Sequence, residues 1–146
     1  MTTAETRAAL DILGIDHVVL RVRDMDRMIR FYEDVLGCRV EKRQEKLGLI
    51  QLRAGSSLID LVDVAGELGR MGGAAPGREG RNLDHFALRT AAFDAAALRA
   101  HLARHGIEMG DVKPRYGAEG EGPSVYIEDP EGNVLELKGP PGPVRG

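Results

Sequence analysis

The sequence predicts an α+β fold in which two paired βαβββ modules, each built on a mixed sheet, pack around a central cleft. Three observations predict it. Ile15-Asp16-His17-Val18-Val19-Leu20-Arg21 can be laid over Leu83-Asp84-His85-Phe86-Ala87-Leu88-Arg89, 68 residues further on, with Asp, His, Leu and Arg identical and apolar residues at the other three places. Both segments run into apolar residues at helical spacing. Each helical stretch is followed by three short segments that read as strands, bounded by Gly, Pro and charged residues.

Taken in order, Met1 to Leu13 reads as a short helical extension preceding a single domain at 14–138. The first module, 14–64, opens with the strand around His17. Asp24 can cap a helix whose Met25, Met28, Ile29, Tyr32, Val35 and Leu36 recur at three- and four-residue spacing, and Gly37 supplies its stop. Strands are expected near Arg39 to Gln44, Leu47 to Leu52 and Ser57 to Val64. A linker at 65–82 follows. Its stretch Gly66 to Asn82 holds six glycines and Pro76, which is long for a loop in a compact domain and predicts a cover over a site or a contact with a partner chain. The second module, 83–138, repeats the plan: Phe93, Ala97, Leu98 and Leu102 form a helical stripe closed by Gly106. Strands are expected at Ile107 to Val112, Pro123 to Glu128 and Asn133 to Lys138. Neither module has enough apolar residues to close a core alone, so the two should pack together. The Pro/Gly-rich tail 139–146 should fray.

Composition narrows the function. With 146 residues and 42% hydrophobic content the chain can bury a core without disulfides, and its single cysteine, Cys38, excludes a disulfide framework and a Cys-rich zinc site. No apolar run is long enough to span a membrane and the first residues lack a signal-peptide pattern, so a cytoplasmic protein is expected. Twenty basic residues against 23 acidic ones, 4% aromatic residues and no Trp make nucleic acid a poor partner.

His17 and His85 occupy matched places in strands that a pseudo-twofold would turn toward one cavity. The last strand of each module carries an acid among apolar residues: Asp60 in Leu58-Ile59-Asp60-Leu61-Val62, and Glu136 in Val134-Leu135-Glu136-Leu137. Strand alternation could turn both acids to solvent, or inward, where a carboxylate needs a partner. Two imidazoles and two carboxylates make a nitrogen and oxygen site for a divalent metal with positions left for water or substrate, and nickel, cobalt, manganese, iron(II) or zinc would each suit it.

The paired modules, the two strand-borne histidines, Ile29-Arg30-Phe31-Tyr32-Glu33-Asp34-Val35-Leu36-Gly37 and the ending Tyr126-Ile127-Glu128-Asp129-Pro130-Glu131-Gly132-Asn133-Val134-Leu135-Glu136-Leu137 resemble the vicinal oxygen chelate superfamily over roughly Gly14 to Lys138. This group includes glyoxalase I, fosfomycin resistance proteins, extradiol dioxygenases and bleomycin-binding proteins. The resemblance implies metal ligands at His17, Asp60, His85 and Glu136. Asp60 is one methylene shorter than the Glu that glyoxalase I has there, which leaves either a four-ligand site or a three-ligand one of His17, His85 and Glu136. It further implies that Glu136 doubles as the base in a glyoxalase-like lyase or isomerase, moving a proton next to a metal-bound carbonyl of a small substrate with neighbouring oxygens, with or without a thiol co-substrate. Fosfomycin-type thiol transfer and extradiol-type oxygenation are the enzymatic alternatives. A metal-free antibiotic-binding or other small-molecule-binding protein is the alternative of another class. The resemblance also implies a homodimer in which two chains share the site, with intrachain pairing as the other arrangement.

Four further residues are candidates for substrate contact: Arg115 and Tyr116, which could hold an anionic group, and Ser124 and Tyr126, which lie two apart on one strand and face the same way. Gly117 to Gly122 precedes a strand, not a helix, so it is a substrate-covering loop or a hairpin connection and no phosphate cradle. Asp129-Pro130-Glu131-Gly132-Asn133 reads as a structural turn, His101 and His105 as surface residues, and Cys38 as a small buried hydrophobe.

Overall fold

The computed structural model describes residues 2–142. Met1 and residues 143–146, including the end of the tail read above as frayed, lie outside the described residues. The elements follow in the order α1 (Thr3–Ala9), β1 (His17–Val22), α2 (Met25–Arg30), β2 (Arg39–Gln44), β3 (Leu49–Ala54), β4 (Ser57–Asp63), α3 (Glu67–Arg70), β5 (Phe86–Arg89), α4 (Ala95–Arg104), β6 (Lys113–Gly117), β7 (Gly120–Glu128) and β8 (Val134–Lys138). They build two four-stranded sheets with the orders β1-β4-β3-β2 and β5-β8-β7-β6. In each sheet the first strand runs parallel to the last and the other pairings are antiparallel. The two modules therefore share one topology, as the repeat predicts.

Local chemistry sets the helices. Asp24 accepts from the backbone N–H of Arg27 and Asp94 from that of Ala97, so both principal helices start on an aspartate cap. Each is closed by a glycine with positive φ, Gly37 at 72° and Gly106 at 70°. Past Arg30, α2 widens into a π-helical turn at Phe31–Val35, which buries Phe31, Tyr32 and Val35 together.

Alternate residues of the strands, among them Leu20, Val22, Ile59, Leu61, Ile50 and Leu52 in the first sheet and Val125, Ile127, Leu135 and Leu137 in the second, join Met28, Tyr32 and Leu102 in one hydrophobic cluster. Polar contacts then clamp the modules together. The Tyr32 hydroxyl donates to Asp129 Oδ2 over 2.8 Å, and His101 Nε2 donates to the Val35 carbonyl over 2.8 Å. The Glu131 carboxylate accepts from the N–H groups of Arg23 and Asp24. Asn82 fills part of the free edge of β1, its Oδ1 accepting from the Arg21 N–H and its Nδ2 donating to the Arg21 carbonyl. Arg21 in turn holds the stretch after β4 through the carbonyls of Gly69, Gly73 and Ala74.

Two expectations are corrected and one open alternative is decided. The strand expected at Ile107 to Val112 lies instead at Lys113–Gly117: Ile107 and Met109 are spent packing on the core, and only Gly110 bonds to β7, through Tyr126 O. Pro114 is tolerated there because β6 is an edge strand. Of the two readings of Gly117 to Gly122, the hairpin connection holds: it is the tight end of the β6–β7 hairpin. His101 is a half-buried bridge between modules, not a plain surface residue.

Candidate functional site

His17 opens β1 beside β4, and His85 immediately precedes β5 beside β8. Strand alternation puts Val19, Asp60 and Gln51 at facing register positions on one side of the first sheet, while Ile59 and Leu61 enter the core. The same alternation sends Leu135 and Leu137 inward and leaves Glu136 on the other side of the second sheet. Both acids are nonetheless buried, Asp60 at 4% exposure and Glu136 at 6%, so they are not turned to solvent.

Each histidine is set from behind by the residue before it. Asp16 Oδ1 lies 2.8 Å from His17 Nδ1, and Asp84 Oδ1 makes the same contact with His85 Nδ1. A carboxylate can only accept, so Nδ1 carries the proton and Nε2 is left pointing at the buried acid. His17 Nε2 stands 4.0 Å from Asp60 Oδ2, and His85 Nε2 stands 3.6 Å from Glu136 Oε1. The hydrogen bond that His17 donates to Asp16, with the charge of Asp60 adding to it, raises the His17 pKa above its usual value. Burial raises that of Asp60.

The acids are held in turn. Gln51 Nε2 donates to Asp60 Oδ2 over 3.2 Å, and Gln44 donates to Gln51 Oε1 over 3.1 Å. Asp60 Oδ1, by contrast, is sealed from solvent and has no hydrogen-bond partner. In the second sheet the Ser124 hydroxyl donates to Glu136 Oε2 over 2.9 Å, and Arg115 Nη1 donates to Ser124 O over 2.8 Å and to Ser124 Oγ over 3.2 Å. The Arg115 guanidinium lies 4.5 Å from the centre of the Tyr126 ring, which packs perpendicular to the His85 ring. Arg115, Ser124, Tyr126, His85 and Glu136 thus form one cluster. Tyr116 is not part of it: as the neighbour of Arg115 on β6 it takes the other side of the strand and is 86% exposed.

Among the described residues the donors meet two by two, and no three His, Cys, Asp or Glu side chains come close enough to hold one ion. The reason is architectural. The sheets are not hydrogen-bonded to each other, β1 and β5 each ending a sheet, and the modules are joined through helices and turns. Two cavities of about 1150 and 680 Å³ lie on that helix-and-turn side, lined by Arg30, Asp34, His105 and Glu128 in one case and by Arg21, Arg78, Arg81 and Glu131 in the other. None of His17, Asp60, His85 and Glu136 lines either.

Asp16, Asp84, Gln51 and Gln44 are the site residues that the sequence reading passed over. The signal for the two aspartates was in plain view, since both are identities of the repeat. The glutamines carry no such mark.

The profile of the Glyoxalase/Bleomycin resistance protein/Dioxygenase superfamily matches residues 14–137. The chain is 34% identical over 125 residues to Virulence protein STM3117 of Salmonella typhimurium, covering 84% of this chain and 81% of that protein. It is 31% identical over 126 residues to fosfomycin resistance protein FosX of Mesorhizobium japonicum, covering 86% and 85%. To lactoylglutathione lyase of Haemophilus influenzae it is 30% identical over 133 residues, covering 86% and 91%. The crystal structure of STM3117 has the same fold, with a TM-score of 0.73 at 29% identity over 90% of this chain and 100% of the other.

Proposed function

Because this chain belongs to the Glyoxalase/Bleomycin resistance protein/Dioxygenase superfamily, we propose that it is a divalent-metal-dependent lyase or isomerase of the glyoxalase type. Its substrate is a small molecule with two neighbouring oxygens, and its chemistry moves a proton next to a carbonyl. The observation that carries this reading is the duplicated half-site, a histidine oriented by an aspartate toward a buried carboxylate, present once in each module.

His17, Asp60, His85 and Glu136 would hold the ion, and their chemistry suits it. At 4.0 and 3.6 Å neither histidine shares a proton with its carboxylate, and the orphaned Asp60 Oδ1 lacks the partner that a cation would supply. Four nitrogen and oxygen donors without thiolate accommodate nickel, cobalt, manganese, iron(II) or zinc. When bound, such an ion supplies Lewis acidity toward a substrate carbonyl. The protein groups do the rest. Asp16 and Asp84 hold each ring by Nδ1 and aim its Nε2 at the buried acid. Ser124 fixes Glu136 through Oε2, which leaves Oε1 as the atom to take a proton from the carbon next to the carbonyl and return it.

Since the donors of one chain meet only in pairs, a second copy completes the set: His17 and Asp60 from one protomer, His85 and Glu136 from its partner. The test is metal content by elemental analysis, without chelator or a histidine-rich tag, on wild type and His85→Ala. About one ion per chain in the wild type, lost in the variant, supports the reading and directs assays to methylglyoxal with a thiol, then to epoxides and catechols. No metal in either protein, even after reconstitution, overturns it and leaves a metal-free binding pocket.

A further inference from the structure

The smaller of the two cavities, about 680 Å³, lies between the linker and the turn after β7, away from the proposed metal donors. Its basic side chains come from two segments: Arg21 on β1 with Arg23 just past it, and Arg78 and Arg81 on the linker. Among the described residues the arginines that pair with a carboxylate are Arg43, Arg53 and Arg89, so none of these four has a counter-charge. Arg21 is half-buried, spends its Nη atoms on the carbonyls of Gly69, Gly73 and Ala74, and keeps a sealed, unpartnered Nε. Carbonyl dipoles do not cancel a full charge, so its field reaches the cavity beside it.

Arg23 is exposed and extends to the linker, where a Cβ on Gly77 would stand 3.6 Å from its Nη2. The Gly77 N–H donates to the Gly80 carbonyl over 3.0 Å and closes a turn that carries Arg78, with Arg81 directly after it. Guanidinium groups from two distant segments therefore line one space. Three carboxylates share the lining, and two of them are spent. Asp129 is buried and accepts from Tyr32, Glu131 and Asn133, while Glu131 accepts from the backbone N–H groups of Arg23 and Asp24. Glu128 is exposed and takes no part in the ion pairs of the described residues.

A free carboxylate repels an anion but accepts hydroxyl hydrogens, so this lining suits a ligand that is anionic at one end and hydroxylated at the other. No aromatic ring lines the cavity, which leaves a nucleobase nothing to stack on. Forks arriving from separate segments match the several oxygens of a tetrahedral phosphoryl group better than the single plane of a carboxylate. We infer that the cavity is a second binding site, for a phosphorylated sugar or polyol, with Arg23, Arg78 and Arg81 on the phosphoryl group and Glu128 on the hydroxyls. Its volume falls in the range of small-molecule sites. The long glycine-rich linker then serves as one wall of a site.

The test is calorimetric titration of chelator-treated full-length protein at low ionic strength with glucose 6-phosphate, inorganic phosphate and glucose. Wild type should bind one glucose 6-phosphate per chain at millimolar concentration, at least about fivefold more tightly than inorganic phosphate, with no measurable binding of glucose. The Arg78→Gln/Arg81→Gln double variant, changed at two exposed positions, should bind both phosphates at least about tenfold more weakly. Should circular dichroism show that variant misfolded, Arg23→Gln takes its place with a loss in the same direction. Glu128→Ala should bind inorganic phosphate at least as tightly as wild type and erase the advantage of glucose 6-phosphate. No binding by wild type, equal binding by wild type and the arginine variant, or equal affinity of wild type for the two phosphates overturns the inference. None of these residues belongs to the proposed metal centre and the titration contains no metal, so this inference and the proposed function fail separately.

Discussion

A hydrogen bond accepted from one ring nitrogen fixes a histidine's tautomer and presents the lone pair of the other, and Asp16 and Asp84 do this for His17 and His85. Asp16→Ala and Asp84→Ala should each weaken metal binding about 10–100-fold in competition with a chromophoric chelator, with the circular dichroism spectrum unchanged. Equal affinity in both variants would reduce the aspartates to surface acids. The repeat displayed them as identities but gave no direction for their side chains, because a one-dimensional pattern shows which residues recur and not which atoms they face. Cys38 makes the opposite case, since its position after a helix stop among apolar residues sufficed to read it as buried. Burial pushes its thiol up to about 11. The neutral thiol is the form the fold favours, and that preference fades only as the pH climbs from the ordinary thiol value toward 11. Ellman's reagent at pH 8 should therefore leave the native protein unmodified over times in which the urea-unfolded chain gives one thiolate per chain.

At the scale of elements, the turn after β7 and the π-helical end of α2 act as one joint. Asp129 accepts from the Tyr32 hydroxyl, from both nitrogens of Asn133 and from the Glu131 N–H. Burial nevertheless raises its pKa. Tyr32→Phe removes one of these donors from a buried carboxylate and should cost about 1–3 kcal/mol in urea unfolding at pH 7. The cost should shrink as the pH falls and Asp129 takes up its proton, because the lost bond supported the charged form. A pH-independent cost would place the effect in ring packing instead. Aspartate caps, glycine stops and the strands at 39–44 and 57–63 were legible because each rests on local chemistry. The π-helical turn and β6 were not. The first arises from where Tyr32 must reach, across 97 residues of sequence. The second is an edge strand that needs few apolar residues, while the apolar pair Ile107 and Met109 that imitates a strand is drawn into the core without pairing.

For the whole molecule the duplicated half-site makes a sharp prediction. In the proposed shared-site dimer, His17→Ala and His85→Ala homodimers would each lack a histidine in both sites. Mixing and re-equilibrating them should produce heterodimers in which one site has lost both histidines and the other is intact. Metal content should then recover to about a quarter of wild type at equal mixing, since half of the dimers are mixed and half of their sites are whole. Intrachain sites would give no recovery at all. The two-module plan was readable in advance because a repeated segment announces a repeated unit. The separation of the two histidines was not, because the sequence does not reveal that the modules join through helices and turns and leave β1 and β5 at sheet edges.

If the proposed shared site holds the ion, keeping two donors on each sheet also changes what retains it. A lone protomer would offer only a bidentate grip, so ion uptake and association would become a single linked equilibrium in which each raises the apparent affinity of the other. Protomer concentration would then set occupancy as surely as free ion does: dilution would act as a chelator, and crowding copies together as a loading step, with no change in any donor atom.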